Sequence, residues 1–314
     1  MSAVEHITVE DDDAGMRLDR WLRGRFPNVP LGALSKVVRT GQVRIDGSRA
    51  KMDTRLEAGQ SVRLPPITAP GGKPATPAAT GDAAALEAMV LHRDDALVVL
   101  NKPYGLAVQG GSGLSRHIDG MLEAWRDRKG RKPRLVHRLD RETTGILVVA
   151  LTRSAAASLS EAFKGRDAHK TYFAVVRGHP TPAEGRLSTW IARDPTDGER
   201  MAVPRSKTKE SQRATTLYET LDQTGQLSLL KLAPVTGRTH QLRVHCAHMG
   251  VPIIGDSKYF NVENWALPGG IQNRLHLHAR QIALPHPAGG TLNVTAPLPP
   301  HIAQTFSLLG LAAE

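Results

Sequence analysis

A single cysteine, Cys246, stands in a chain of 314 residues. That count excludes an internal disulfide framework and any multi-cysteine zinc site. Aromatic residues make up only 4% of the chain, which leaves aliphatic side chains to fill the core. No stretch reaches the eighteen or more consecutive apolar residues of a membrane-spanning helix. The first fifteen residues carry Glu5, Glu10 and the run Asp11-Asp12-Asp13. They have neither the apolar centre of a secretory leader nor the acid-poor composition of a mitochondrial one, so a reducing cytoplasm is the expected location. Gly110-Gly111-Ser112-Gly113 lacks the Gly-Lys-Ser/Thr ending of a nucleotide-binding loop, and no GxGxxG occurs. Both absences argue against an NTPase and weaken the case for a methyltransferase or a dehydrogenase. Acidic residues are also outnumbered, 30 against 41 basic ones, for a formal charge of +11 and a pI near 10.1. An excess of this size points to a polyanionic partner, nucleic acid first.

What is present divides the chain in three. Residues 16–64 hold eleven Arg or Lys against four Asp or Glu, a local surplus of seven. Leu18, Trp21, Leu22 and Phe26 have helical spacing ended by Pro27. Leu31, Leu34, Val37 and Val38 suggest a second helix stopped by Gly41. Val43 to Gly47 reads as a strand entering an Asp-Gly turn, and Val62 to Leu64 as another short strand. Next, PPITAPGGKPATPAATGDAAA, residues 65–85, has the composition of a flexible linker that lets two binding modules reach their own sites. The remainder, 86–314, shows short apolar strands at 90–91, 96–100, 146–151, 172–176 and 227–232. Helices are expected at 154–163, stopped near Gly165, and at 240–249. Few helices separate the strands, which favours a mixed, largely antiparallel sheet.

Two segments carry the chemistry. Leu135 to Gly145 is a charged, turn-prone stretch between apolar runs, which places Asp140 at a sheet edge or cleft. Arg138 and Arg141 beside it would keep that carboxylate ionised. By itself, one aspartate between two arginines is most often a structural ion pair. Pro234 to Asp256 reads as a tight turn opening a helix, with Arg238, Thr239 and His240 at its start, Arg243 about a turn in, and backbone N–H groups free for a phosphate.

Taken together, these segments resemble the RluA family of pseudouridine synthases. HRLDRETTG is similar to the family motif HRLDxxTSG, with Asp140 at the position of the essential aspartate. HKTYFAVVRG is similar to the second motif and puts Tyr172 where the family keeps a tyrosine against the target base. PVTGRTHQLRVHCAHMG is similar to the third and puts Arg243 where an arginine pairs with the catalytic carboxylate. The likeness extends through NKPYGLAVQGGSGLS and LHLHARQIALPHP, so it spans essentially the whole chain. The basic N-terminal unit, VRLPP and the QGGSGLS loop resemble most the RluC-like branch, which acts on large-subunit ribosomal RNA. Thr144 stands where the family has serine, and residues 206–213 (SKTKESQR) are less regular than the family's. The N-terminal helix-helix-strand plan, with Arg17, Arg20, Lys36 and Arg39 as candidate RNA contacts, resembles the small alpha-L RNA-binding domain of a ribosomal protein and several RNA-modifying enzymes.

The resemblance implies an α+β protein with an alpha-L RNA-binding domain (1–64), a linker (65–85) and a pseudouridine synthase catalytic domain (86–314). It implies isomerisation of uridine in structured RNA with no cofactor and no metal, by a chain expected to be a monomer. Asp140 would be the catalytic carboxylate, acting on the ribose or assisting departure of the base. Arg243 would keep it charged and aimed. Tyr172 would stack on the uracil, Leu277 would line the base pocket, and Arg138 would fill the gap left by a flipped nucleotide. Arg238 and His240 complete the candidate substrate contacts.

Rival readings exist. His240, His245, Cys246 and His248 invite a zinc site, but His240 and His245 fall on different helix faces and the spacing fits no common zinc pattern. A non-catalytic RNA-binding factor would not need Asp140, Tyr172 and Arg243 together. A glycoside hydrolase would need a second carboxylate in reach, for which Glu142 and Asp256 are the nearby candidates.

Overall fold

The computed structural model describes residues 4–26, 29–67, 81–110, 114–127, 130–260 and 265–312; Pro27, most of the expected linker and part of the glycine run at 110–113 lie outside them. Near the N-terminus, helix Leu18–Arg25 buries Leu18, Trp21 and Leu22, and helix Leu31–Arg39 buries Leu34 and Val38. The apolar spacing therefore becomes one buried stripe per helix. Arg17, Arg20, Lys36 and Arg39 stay exposed on or at the start of these helices. Strands Arg44–Ile45 and Ser48–Arg49 are joined by Asp46 at φ 48° and Gly47 at φ 77°, the two left-handed positions a type I′ hairpin turn needs. Ser61–Leu64 pairs with Arg44–Ile45 on one side and with Glu5–Thr8 on the other. Glu5–Thr8 is an addition to the sequence reading. Its polar run EHIT is mostly exposed, so backbone ladder bonds rather than a buried face hold it, and no apolar alternation betrays it.

Two features depart from a loosely tethered plan. Residues 82–85, expected in the linker, open helix Asp82–Glu87, and Asp82 accepts from Arg116 Nε at 3.0 Å and Nη2 at 2.8 Å. The acidic turn Asp11–Asp13 docks against the second unit. Asp12 accepts from the backbone N–H of Arg153 at 3.1 and 3.2 Å, while Arg153 Nη1 donates to the carbonyl of Ala14 at 2.6 Å. Asp12 thereby meets the positive end of helix Arg153–Gly165, beside the helix's own cap, Thr152.

The larger sheet is mixed and mostly antiparallel. Among the described residues its strands run in the order Met201–Ala202, Glu184–Arg193, Gln212–Thr224, Leu227–Pro234, His169–Arg177, Leu277–Pro285, Thr144–Ala150, Leu97–Lys102 and Val90–Arg93. Among the described strands of this sheet, only Thr144–Ala150 and Leu277–Pro285 pair in parallel. Thr144–Ala150 is buried at every residue, which is why it reads as a continuous apolar run. Gly145, at φ 103°, makes the close crossing possible: a Cβ there would lie 2.2 Å from the carbonyl oxygen of Ala279, so only glycine fits.

Helix Gln241–His248 packs on Ala174, Leu232 and Leu277. Helix Pro300–Leu309 packs on Phe173 and Val175, the alternate side chains of the same strand, and so covers the opposite face. Helix Arg153–Gly165 runs on for two residues beyond the expected Phe163, and Arg166, not Gly165, takes the left-handed C-terminal position at φ 73°.

Candidate active site

A cavity of about 460 Å³ opens between the end of helix Arg153–Gly165, the start of helix Gln241–His248 and the loop that carries Asp140. The loop is fastened from beneath. Lys102 Nζ donates to the carbonyls of Pro103 at 3.0 Å, Leu106 at 2.8 Å and Arg141 at 2.9 Å. Burial pulls this ammonium down to about 7 against the opposing pull of Asp140. Three carbonyl acceptors use all three N–H bonds of the charged form and favour it. Arg141, expected to hold Asp140 ionised, turns away instead and donates from Nε to the carbonyl of Gly105 at 3.0 Å. Sequence neighbours on a tight loop point in different directions, and the guanidinium nearest Asp140 comes from helix Gln241–His248.

Arg243 is that cation. It is 2% exposed, and Nη1 lies 3.6 Å from Asp140 Oδ2. Its shorter contacts run backwards: Nε to Asp256 Oδ2 at 2.7 Å, Nη2 to Asp256 Oδ1 at 2.6 Å, and Nη2 to Glu142 Oε2 at 3.2 Å. Asp256 Oδ1 also accepts from the backbone N–H groups of Lys258 at 2.9 Å and Tyr259 at 3.1 Å. Burial alone would lower the guanidinium's pKa, but the hydrogen bonds and charge of Asp256, with Asp140 and Glu142 behind them, raise it above its ordinary value. The arginine is permanently charged and cannot swing.

His240 lies just outside the helix as its N-cap residue, at φ 52° and ψ 17°. A left-handed non-glycine residue costs on the order of 1 kcal/mol. What the strain achieves is aim: Nδ1 meets the Tyr259 hydroxyl at 2.8 Å, and Nε2 lies 3.9 Å from Asp140 Oδ2. Burial lowers the imidazole's pKa, against the pull of Asp140. Tyr172 lines the same cavity, and its phenol is pushed well above its usual range by burial and then by the charge of Asp140. It is therefore a neutral ring and O–H donor near pH 7 rather than a phenolate base.

Asp140, Tyr172, Arg243, Arg138, Arg238, His240 and Leu277 all line this one cavity. Arg17, Arg20, Lys36 and Arg39 belong to the N-terminal helices instead. Two candidate roles near the third motif change. His245 is buried between the hydroxyls of Thr216 at 2.8 Å and Thr189 at 3.0 Å, and Cys246 is buried in the core. Glu142 and Asp256, the hydrolase's candidate second carboxylates, are both engaged with Arg243. Among the described residues no group of three or more His, Cys, Asp or Glu is arranged to hold a metal.

Sequence reasoning missed Lys102 as a fastener, and missed Lys164, Arg166 and Lys170, which add positive charge to the wall. Lys102 had a signal, a charge two residues past the buried run Leu97 to Leu100. The three wall cations had none beyond lying near Tyr172. Chemically, the cavity offers one carboxylate held beside a fixed cation, a neutral phenol, and a basic mouth suited to phosphates.

A family model described as RNA pseudouridylate synthase matches residues 96–248. The chain is 37% identical over 312 residues to a ribosomal large subunit pseudouridine synthase C of Vibrio cholerae, covering 97% of this chain and 96% of the relative. It is 37% identical over 305 residues to the protein of that name in Escherichia coli, covering 94% and 93%. Among solved structures it is similar to human RNA pseudouridylate synthase domain containing 4, with a TM-score of 0.64 and 33% identity over 74% of this chain and 98% of the other.

Proposed function

The chain belongs to the RNA pseudouridylate synthase family, and from that premise we propose that it isomerises uridine in large-subunit ribosomal RNA with Asp140 as its catalytic carboxylate. The observation that carries the reading is the position of Asp140. It is the one acid of the Arg243 cluster that lines the cavity, 19% exposed, while Asp256 behind the arginine is fully buried.

Isomerisation breaks the bond from N1 to C1′ and forms one from C5 to C1′, with the C5 proton lost and N1 protonated. Nothing is oxidised or reduced. Attack on C1′ and assistance to the departing base both need an ionised carboxylate at the sugar, held where bulk water is limited. Arg243 sets a fixed positive charge 3.6 Å from that carboxylate, and Asp256 and Glu142 keep the arginine in place. In this reading Tyr172 stacks on the uracil while the base turns; Tyr172 and Leu277 line the same cavity. Arg138 stands exposed at the mouth, where it fills the stack vacated by a flipped nucleotide. Arg238, with Lys164, Arg166 and Lys170 around the opening, takes phosphates of the RNA.

The N-terminal unit, residues 1–64, is in this reading an alpha-L RNA-binding domain. Its exposed Arg17, Arg20, Lys36 and Arg39 add affinity without touching the reacting base. The names of the relatives supply the ribosomal substrate, and the local surplus of positive charge agrees with it. The test is a map of pseudouridines in ribosomal RNA from cells with and without the protein. Loss of one or more large-subunit pseudouridines, restored by the wild-type chain and not by Asp140→Asn, is the expected result. An unchanged map would overturn the substrate, and restoration by Asp140→Asn would overturn the carboxylate.

A further inference from the structure

Trp190 sits half-buried on strand Glu184–Arg193, and the reaction described above makes no use of it. Its neighbours Thr189 and Ile191 face helix Gln241–His248, through His245 and Val244. Strand alternation therefore turns Trp190 to the other side of the sheet. Two cations lie over its ring: Lys207 Nζ at 4.7 Å and the Arg213 guanidinium carbon at 5.7 Å from the centroid. Arg213 is Trp190's cross-strand partner and is fixed by a bond from Nε to Ser188 Oγ at 3.0 Å. Lys207 comes from the exposed segment 205–210, whose turn is closed by paired bonds between Thr208 and Ser211. Arg205 and Lys209 add two more exposed cations there, against Glu210. Among the described residues none of these four forms an ion pair with a carboxylate, so their charge is uncompensated.

This patch connects to the cavity. Arg238, on the cavity wall, donates from Nε to the carbonyl of Arg213 at 3.2 Å. A strand of nucleic acid leaving the cavity past Arg238 would meet Arg213 and then the indole. An aromatic face beside uncompensated cations is the combination that holds single-stranded RNA, a base on the ring and phosphates on the charges.

We propose that Trp190, Lys207 and Arg213 form a second RNA contact, where an unpaired base flanking the target uridine stacks on the indole and adjacent phosphates meet the two cations. The inference rests on the reading that the substrate is RNA. Lys207, on a loop, gives up its place over the ring to the base and moves to phosphate; Arg213, held by Ser188, keeps its place. Segment 206–213, irregular beside the family's motifs, thereby acquires a role in choosing which RNA context is accepted.

The test uses the full chain, in vitro transcribed large-subunit ribosomal RNA, filter binding across a salt series, and steady-state turnover. Trp190→Ala and Trp190→Leu should each raise Kd and KM by roughly ten- to a hundredfold, the range expected for losing one stacked base. The loss falls on KM rather than kcat. Trp190→Phe should stay within about threefold of wild type, which separates stacking from simple packing, since leucine packs but does not stack. Lys207→Ala and Arg213→Ala should each flatten the slope of log affinity against log salt by about one, whereas Trp190→Leu should not change it. Binding by Trp190→Leu equal to wild type, or losses that follow thermal unfolding instead of ring chemistry, would overturn the platform. If the wild-type chain forms no pseudouridine in this RNA, the proposed function fails by itself, and the binding arm still decides the platform.

Discussion

Two of the carboxylates gathered on Arg243, Asp256 and Asp140, are built for opposite purposes. Asp256 is fully buried, places both oxygens on Arg243 at 2.6 and 2.7 Å, and takes two backbone N–H bonds besides. Asp140 faces the cavity, stands 3.6 Å from the same guanidinium and 3.9 Å from His240, and is partly exposed. Both oxygens of Asp256 are engaged, with four hydrogen bonds between them, and the group is buried behind the arginine, so it anchors. Asp140 has charge beside it and room in front of it. In the proposed reaction, the carboxylate facing the cavity has beside it a cation that something else has already immobilised. Were Arg243 paired bidentately with Asp140 itself, the acid's oxygens would be occupied by the partner meant to activate it.

The comparison is broken most severely at Asp140. Asp140→Asn keeps the shape and removes the charge, so single-turnover pseudouridine formation should fall by at least about 1,000-fold. Folding and RNA binding should persist, because binding rests on many separate cations. Turnover of a well-folded Asp140→Asn chain within tenfold of wild type would falsify the catalytic role.

Asp256→Asn should do the reverse. The buried arginine loses its bidentate partner and keeps only the longer contacts to Glu142 and Asp140, which costs up to about 3–5 kcal/mol of stability. Urea denaturation should show it as a lower midpoint at unchanged slope, with turnover per folded molecule falling far less than for Asp140→Asn. A stable but inactive Asp256→Asn chain would show that Asp256 acts in the chemistry, and the contrast between the two acids would collapse.

How much of this was open to sequence reasoning depends on range. Asp140, Tyr172 and Arg243 sit in local motifs, and the cavity gathers all three along with Arg138, Arg238, His240 and Leu277. The bonds that make the site work connect residues far apart: Arg243 to Glu142 across 101 positions, Lys102 to Arg141 across 39. Nothing local marks such pairs. Buried strands such as Thr144–Ala150 announce themselves by apolar runs, whereas Glu184–Arg193 and Gln212–Thr224 are largely half-buried and carry polar residues throughout, so no period stands out. Nothing local marks Asp12 as a docking residue either, because its partners, Arg131 and Arg153, lie more than a hundred residues away.

Acid should sharpen the contrast between anchored and free groups on a smaller scale. Burial holds His245, His276 and His278 down to about 4, helped at His245 by the nearby His248 and opposed at His276 and His278 only by backbone hydrogen bonds. The unfolded chain takes up these protons as pH falls through 6.5, while the folded chain resists until about 4. Stability is therefore whole above pH 6.5 and is lost between 6.5 and 4, on the order of a few kcal/mol per histidine. Denaturant midpoints at pH 7.5, 6 and 5 should fall in that order. His276→Gln should reduce the decline, and equal midpoints at pH 7.5 and 5 would contradict the assignment of these imidazoles as neutral.

The smallest effect is expected at a third carboxylate, Asp12, which anchors not a side chain but a helix end. It accepts from the Arg153 amide at 3.1 and 3.2 Å and lies 3.5 Å from Arg131 Nη1. The far end of that helix brings Phe163 and Lys164 to the cavity wall. Thr152 already caps the helix, so Asp12→Ala removes one of two caps and a partly exposed ion pair, about 1 kcal/mol together. Global unfolding should shift by only a few degrees, because the core beneath the helix is untouched. Hydrogen exchange at the Arg153 amide should accelerate about fivefold, and RNA affinity should fall by a similar factor as the N-terminal unit loses its docked orientation. Turnover at saturating RNA should change less than affinity does. A truncated chain beginning at Gly81 sets the limit: it should lose the N-terminal contribution to the salt slope and keep activity at high RNA concentration. If Asp12→Ala binds RNA like wild type while the Gly81 chain binds poorly, the N-terminal unit contributes charge alone and its docking is irrelevant. If both weaken binding in proportion, the unit works because Asp12 holds it in place.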